Sequence, residues 1–174
     1  MNSKELFVRD TTVIRKSDNL FTAEVSENWS IGNTANGGYS MTLAAKAMSE
    51  FLEHKDPLSI SAHYLDRVDF GTTELHVTHL SSSKSLSTAR VELIQENKIK
   101  IIFIGTFTDF SFKNDMNIYE RDVPNFPEYN SCEVIPYKEG FNPKLDKNIE
   151  KAYAQDSLWW KKDIDNSSST LNLY

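Results

Sequence analysis

Between Gly38 and Glu53 the chain places apolar residues at helical spacing around most of a cylinder. Met41, Ala44, Ala45, Met48 and Leu52 follow one helical row, and Leu43, Ala47 and Phe51 form an adjoining one. Thr42, Lys46, Ser49 and Glu53 make only a narrow polar stripe. A helix with that distribution has to be covered on more than one side. Ala44, Ala45 and Ala47 would let a sheet approach closely. The spacing therefore predicts a central helix over 38–53, with everything else arranged around it.

The neighbouring segments supply the cover. Asp18–Glu27 alternates, with Phe21, Ala23 and Val25 on one face. After Trp29, the stretch from Ile31 to Gly38 offers caps and turns but no regular element. Four strand patterns follow the helix: Leu58–Asp69, Thr73–Leu80, Leu86–Glu96 and Ile99–Phe110. The last is β-branched and aromatic throughout, as expected of an inner strand covered on both faces. The gaps between strands are short enough for hairpins, so the pairing is expected to be antiparallel. One strand, one long helix and four more strands make an α+β chain with a single sheet around that helix.

Beyond Phe112 the pattern breaks up. Pro124, Pro127, Pro136 and Pro143 read as an extended linker, Asn148–Gln155 as a short strand, and Asn166–Thr170 as a flexible end. The short strand is followed by Trp159 and Trp160 much as the first is followed by Trp29. Residues 1–112 thus read as one domain, and 113–174 as a linker and the incomplete start of a second copy. With 174 residues there is room for one such domain and part of another.

Charge and cysteine content narrow the classes of function. The net charge is -6, with no lysine or arginine run, which argues against nucleic acid or an anionic membrane as partner. No stretch approaches the ~20 apolar residues of a membrane span, and the first ten residues lack the apolar run of a secretory signal. Cys132 is the one cysteine, so no internal disulfide can form. A soluble, cytoplasmic protein is expected.

An ordered series of local patterns resembles the hotdog-fold acyl-CoA thioesterases, in particular the TesB-like (thioesterase II-like) double-hotdog group. Asn36-Gly37-Gly38-Tyr39 stands at the entry to the alanine-rich helix. Pro57-Leu58-Ser59 leads into Ala62-His63-Tyr64-Leu65, with Gly71 beyond. Ser83-Lys84-Ser85, Ala89-Arg90-Val91, and Gln95 with Asn97 complete the series. The likeness covers residues 18–112 well and the tail weakly. It implies an antiparallel sheet wrapped around one long central helix, repeats paired through their sheets, and a CoA thioester at the pairing interface. In that group the catalytic Asp, Ser or Thr, and Gln belong to the second repeat, which this sequence only begins. The resemblance therefore implies a first repeat, either inactive by itself or pairing with its own copy as a homodimer.

Thioester hydrolysis needs donors for a developing oxyanion and a polar group that positions water. A helix start offers unpaired N–H groups and about half a positive charge. Gly37, Gly38 and Tyr39 are the candidate donors, with Asn36 positioned to hold water or substrate. The other reading is that Asn36 simply caps the helix and the glycines make a tight turn. The carboxylates Glu50 and Glu53 lie three or more turns away. His63 is the obvious candidate base, but a lone strand histidine without an acidic partner is more often structural.

Ser83, Lys84 and Ser85, with Arg90, could bind the CoA phosphates, or they could be a polar hairpin turn. His76 and His79 are three apart in a strand, face opposite ways, and cannot share a metal. No metal site is expected, and no cofactor beyond the CoA that the substrate carries. Two functions are expected as rivals: hydrolysis of an acyl-CoA, and non-catalytic acyl-CoA binding.

Overall fold

The computed structural model describes residues 2–111 and 126–161. The chain divides into two compact units, Met1–Lys113 and Asn114–Tyr174.

In the first unit, helix α1 (Ser3–Asp10) and strands β1 (Val13–Arg15) and β2 (Leu20–Val25) precede a small ribbon, β3 (Ser30–Ile31) and β4 (Thr34–Ala35). Helix α2 (Gly37–Phe51) follows, then strands β5 (Asp56–Tyr64), β6 (Gly71–Ser82), β7 (Ser87–Gln95) and β8 (Lys98–Thr108). The sheet order is β1-β2-β6-β7-β8-β5, antiparallel at every pairing. Helix α2 packs against β2, β5, β6, β7 and β8, the arrangement its apolar rows called for. Between helix and sheet lie Phe21, Leu75, Val77, Val91, Leu93, Ile101, Phe103 and Phe107, facing Leu43, Ala44, Ala47 and Met48, all fully buried. Each large side chain in that layer stabilises the fold by about 1.5–3 kcal/mol.

Two local features set the fit. Strands β7 and β8 join through Glu96 and Asn97, both left-handed with φ of 52° and 58°, the two-residue turn whose twist matches that of the strands. At Gly105, a Cβ would lie 2.5 Å from Met48 Sδ. The helix rides directly on β8 there, and a side chain would push it off.

Several expectations need correction. Helix α1 and strand β1 have too few residues to announce themselves by periodicity. They form because Asn2 and Glu5 build a reciprocal capping box, and because β1 extends the sheet alongside β2. A two-strand ribbon occupies 30–35, where no regular element is expected. Its turn carries Gly32 at φ +60°. Met41, Ala45 and Phe51 are only half-buried, so in the described structure the helix is covered fully on its sheet side and partly elsewhere. The strand expected over 58–69 ends at Tyr64, because Leu65 N and Asp66 N both donate to Lys100 O, each at 2.9 Å. This bulge breaks the ladder. Strand β8 is internal to the sheet, yet Ile104 on its outer face is 38% exposed, so one face only is covered among the described residues.

In the second unit, strand β9 (Glu133–Val134) pairs antiparallel with β10 (Ala152–Tyr153). The strand expected over 148–155 is thus only two residues long. Single turns of 3-10 helix sit at Tyr129–Ser131, Lys144–Asn148 and Gln155–Ser157. Trp160 meets both Tyr153 and Trp159 edge-on. Cys132 is a free thiol. Pro124 and Asn166–Thr170 lie outside the described residues. Among the described residues, no helix is long and apolar enough to cross a membrane.

Candidate functional site

Helix α2 begins where three segments are tied together. Asp10, at the end of α1, accepts from Asn28 Nδ2 (2.8 Å) and Trp29 Nε1 (3.1 Å) at one oxygen and from Arg9 Nε (2.8 Å) at the other. Burial alone would raise its pKa; these donors, with Ser26, outweigh burial and hold the carboxyl below its ordinary value. Tyr39 Oη donates to Asp10 O (2.7 Å) and accepts from Ser26 N (3.0 Å). Its ring stacks on Trp29 at 6.2 Å between centroids. Burial pushes the Tyr39 phenol upward, so it stays protonated. The Tyr39 side chain is therefore an anchor for the helix start.

The nominated donors are not equivalent. Asn36 Oδ1 accepts from Gly38 N (2.9 Å) and Tyr39 N (3.2 Å), the geometry of an N-cap. That cap engages two of the three N–H groups expected to face substrate. Gly37 N has no partner among the described residues. A Cβ at Gly37 would lie 2.8 Å from Tyr64 Oη and 3.0 Å from the ring carbons Cε1 and Cζ. The Tyr64 ring thus lies over the bare helix start, half-exposed, with its hydroxyl unpaired among the described residues.

Gly37 and Tyr64 line a cavity of about 290 Å³ together with Ala35, Asp66, Val68 and Ile101. Its wall is rigidly fastened. Val68 O accepts from Ala35 N (3.1 Å) and Thr34 Oγ1 (2.9 Å). Gln95 bonds both the N–H and the C=O of Asp69. Asp66 Oδ2 pairs with Lys98 Nζ (2.8 Å) and Lys100 Nζ (3.3 Å), and Oδ1 accepts from Arg67 N (2.9 Å). Lys98 first, then the Arg67 N–H and Lys100, hold this carboxyl well below the usual carboxylate range. A carboxylate thus stands in one cavity with the helix start, although Glu50 and Glu53 do not reach it.

The other nominated residues lie elsewhere. Lys84 O meets His54 Nε2 (3.3 Å) and Ser85 O accepts from Thr108 Oγ1 (2.9 Å), which puts this turn beyond the C-terminal end of α2. At 1.5 Å per residue, the 15-residue helix separates it from Gly37 by about 20 Å. Ser83 turns back on its own hairpin through Leu86. Arg90 is on the sheet's outer face, paired with Glu92, with its Nε buried and unbonded. His63 is exposed on that same face, opposite Ile102, with no hydrogen bond among the described residues. The structure does not bring Ser83, Lys84, Ser85, Arg90 or His63 to the cavity.

Two histidine arrangements escaped the sequence reading. His76 pairs with Glu74 at 2.8 Å on the exposed outer face. At the far end of α2, buried His54 Nδ1 meets Ser87 Oγ at 2.6 Å, and a hydroxyl chain through Ser82 leads out to His79. A larger cavity of about 620 Å³ lies along α1, β1 and β2, where its one arginine, Arg9, is tied to Asp10. Among the described residues, no three metal-ligating side chains converge.

Tyr64 and Asp66 are the site residues that sequence reasoning missed. The usable signal was the end of strand alternation at Tyr64-Leu65-Asp66, where a bulge turns consecutive side chains out of the regular pattern.

Residues 25–109 match the family model of the acyl-CoA thioesterase N-terminal domain. A candidate thioesterase II from Thermobifida fusca YX superposes with a TM-score of 0.77 at 20% identity, over 90% of this chain and 58% of that one. A protein of unknown function with a hot dog fold from Alicyclobacillus acidocaldarius gives 0.75 at 10% identity, over 86% and 55%. The tesB protein of Mycobacterium avium subs paratuberculosis gives 0.64 at 16%, over 86% and 58%. The chain spans somewhat over half the length of these structures, and at such identities the likeness is one of fold: this is a hotdog. No curated protein matches the sequence.

Proposed function

With a thioesterase-type hotdog domain over residues 25–109 as the premise, we propose that this chain binds an acyl-CoA thioester in the cavity at the start of α2 and hydrolyses it to free acid and CoA. One observation carries the reading: Gly37, whose N–H has no partner among the described residues, lines one cavity with Tyr64 and Asp66, and the Tyr64 hydroxyl stands 2.8 Å from where a Gly37 Cβ would lie. In that position Gly37 N–H, backed by the helix dipole, polarises the thioester carbonyl. A donor of this kind is worth about 3 kcal/mol in the transition state, or 100-fold or more in rate. No cofactor is required beyond the CoA of the substrate. Release of free thiol from short, medium and aromatic acyl-CoAs, followed with a thiol reagent, tests the proposal. No release above background across the series refutes it.

The engagement of Gly38 and Tyr39 by Asn36 favours a second reading, in which the chain binds acyl-CoA without cleaving it. Acyl-CoA that raises the melting temperature and is recovered intact distinguishes the two.

The site is proposed to be completed across the free edge of β5. That strand ends the sheet order, and Leu58 and Tyr64 along it, with Leu65 just beyond its end, are 56%, 54% and 59% exposed. A long apolar edge of this kind pairs with another strand. The pairing partner proposed is a second hotdog, either another copy in a homodimer or a second repeat. The antiparallel pair β9–β10, followed by a 3-10 turn and then Trp159, echoes the pair β1–β2 followed by the 3-10 turn that ends in Trp29, although a further 3-10 turn at Lys144–Asn148 separates β9 from β10; this supports reading residues 113–174 as a linker and the start of a second repeat. Light scattering at micromolar concentration tests the homodimer, and a stable monomer counts against it.

A further inference from the structure

We propose that Asp66 is the group that positions the attacking water, an inference that rests on the hydrolytic reading above. Asp66 enters the cavity because of the bulge. With Leu65 N and Asp66 N sharing one acceptor, Lys100 O, the alternation of β5 is broken just where the strand meets the helix start. Bulges beside functional sites re-aim side chains in this way. Asp66, Tyr64 and Gly37 consequently face one volume of about 290 Å³.

The carboxylate is both fixed and neutralised. Oδ2 is occupied by Lys98 Nζ at 2.8 Å and Lys100 Nζ at 3.3 Å, and Lys100 is itself 93% buried at its side chain, being 7% exposed. Oδ1 takes one N–H, from Arg67, and keeps a second lone pair for a water proton. The charged side chains paired with Asp66 are Lys98 and Lys100 from β8; in its own loop the Arg67 side chain pairs with Asp69 at 3.4 Å, and Asp69 also approaches Lys100 at 3.7 Å. The two lysines cancel the repulsion that a bare carboxylate would exert on an oxyanion forming near Gly37. Strong pairing also makes Asp66 a weak proton acceptor, so its part is orientation.

In the step itself, the water oxygen forms a bond to the carbonyl carbon and the π pair moves on to the oxygen held by Gly37 N–H. Collapse re-forms the carbonyl and breaks the C–S bond. The sulfur leaves with the bonding pair, and the proton given up by water ends on that sulfur. Acid and thiol are the only products.

Turnover of a medium-chain acyl-CoA by the full chain, read as kcat and KM by chromatography across pH 3–8, tests this against Asp66→Asn and Lys98→Met. Asp66→Asn is isosteric and is expected to lower kcat about 10–100-fold, with KM within about twofold; loss of the pairs with Lys98 and the buried Lys100 also lowers the melting temperature, so turnover is read well below it. Asp66 is held so far below the usual carboxylate range that it stays ionised across this window in the parent. Lys98→Met is expected to bring an acid limb into the lower end of the window, because Asp66 then protonates nearer its ordinary value. A purely structural role would lower stability without giving Lys98→Met an acid limb that the parent lacks. Asp66→Asn turning over within twofold of the parent overturns the inference, as does a Lys98→Met profile that follows the parent's down to pH 3. Where Asp66→Asn fails to fold, the Lys98→Met profile decides. A parent chain with no turnover overturns the hydrolytic reading and this inference with it; an active parent with an unaffected Asp66→Asn overturns this inference alone.

Discussion

Substituting Gly105 by alanine tests the contact on which the candidate site depends, because β5, β8 and α2 meet there and the same three elements frame the cavity. The added methyl would lie 2.5 Å from Met48 Sδ, 3.1 Å from Phe107 Cε2 and 3.4 Å from Ile60 Cγ1. Met48 is a flexible side chain, but it is wholly buried and has no room to withdraw, so the displacement passes to the helix. Overpacking of this kind costs about 1–3 kcal/mol. Replacing a strand glycine returns roughly 0.5–1 kcal/mol in backbone entropy, leaving a net loss of about 1–2 kcal/mol. Met48→Ala alone should cost about 2–5 kcal/mol through the cavity it leaves. In the double variant the new methyl enters that cavity, so the summed losses should exceed the measured loss by about 1 kcal/mol or more. Urea denaturation monitored by circular dichroism supplies all three values. Additivity within about 0.5 kcal/mol, the behaviour of unconnected sites, would refute a helix seated on β8 at Gly105.

Three further outcomes follow from particular contacts. Gly37→Ala sets a methyl 2.8 Å from Tyr64 Oη. The half-exposed ring can swing aside, so stability should change by less than about 1 kcal/mol, while acyl-CoA turnover falls about tenfold or more; unchanged kcat/KM would refute the site. Asp10 has a lowered folded pKa, so its contribution is present above the unfolded carboxylate value near 3.9 and is lost as pH falls through the folded value. The stability difference between the parent and Asp10→Asn should therefore be on the order of 1–3 kcal/mol at neutral pH and shrink in acid; thermal melts at pH 7 and pH 3 check it. Ser87→Ala leaves the buried His54 Nδ1 without its 2.6 Å partner and should cost about 1–3 kcal/mol in urea denaturation, whereas the exposed Ser85→Ala should be nearly neutral.

What could be read from the sequence divides along the range of the interactions involved. The helix over 38–53 and most of the strand patterns were legible because burial against one layer imposes periods of 3.6 and 2 on long segments, and Leu43, Leu75 and Val91 sit where those periods put them. Helix α1 and the ribbon at 30–35 were not, since segments so short are held by caps and by single long-range bonds such as Tyr39 Oη to Asp10 O. The site was half legible for the same reason. Gly37 announces itself by composition at a helix start, but whether its N–H is free depends on the Asn36 rotamer, which takes Gly38 and Tyr39 and leaves Gly37.

Asp66 could not be nominated from spacing, because its place is set by a bulge, and a bulge moves a side chain off the strand period on which such reasoning relies. Ser83–Ser85 lies at the opposite end of the helix. Its composition suited a phosphate, yet hairpin β6–β7 carries it past the C-terminal end of α2, where the helix dipole is negative and repels an anion. The CoA phosphates stand a full pantetheine arm from the thioester sulfur, so a thioester held at Gly37 keeps them away from Lys98 and Lys100, which are bonded to Asp66 beside that cavity. The dipole at the far end of α2 is expected to keep phosphate off the serine turn, so Lys84→Met should leave KM for acyl-CoA unchanged in steady-state kinetics. A raised KM would instead seat the CoA moiety at that turn, about 20 Å from Gly37, with the thioester still at the helix start.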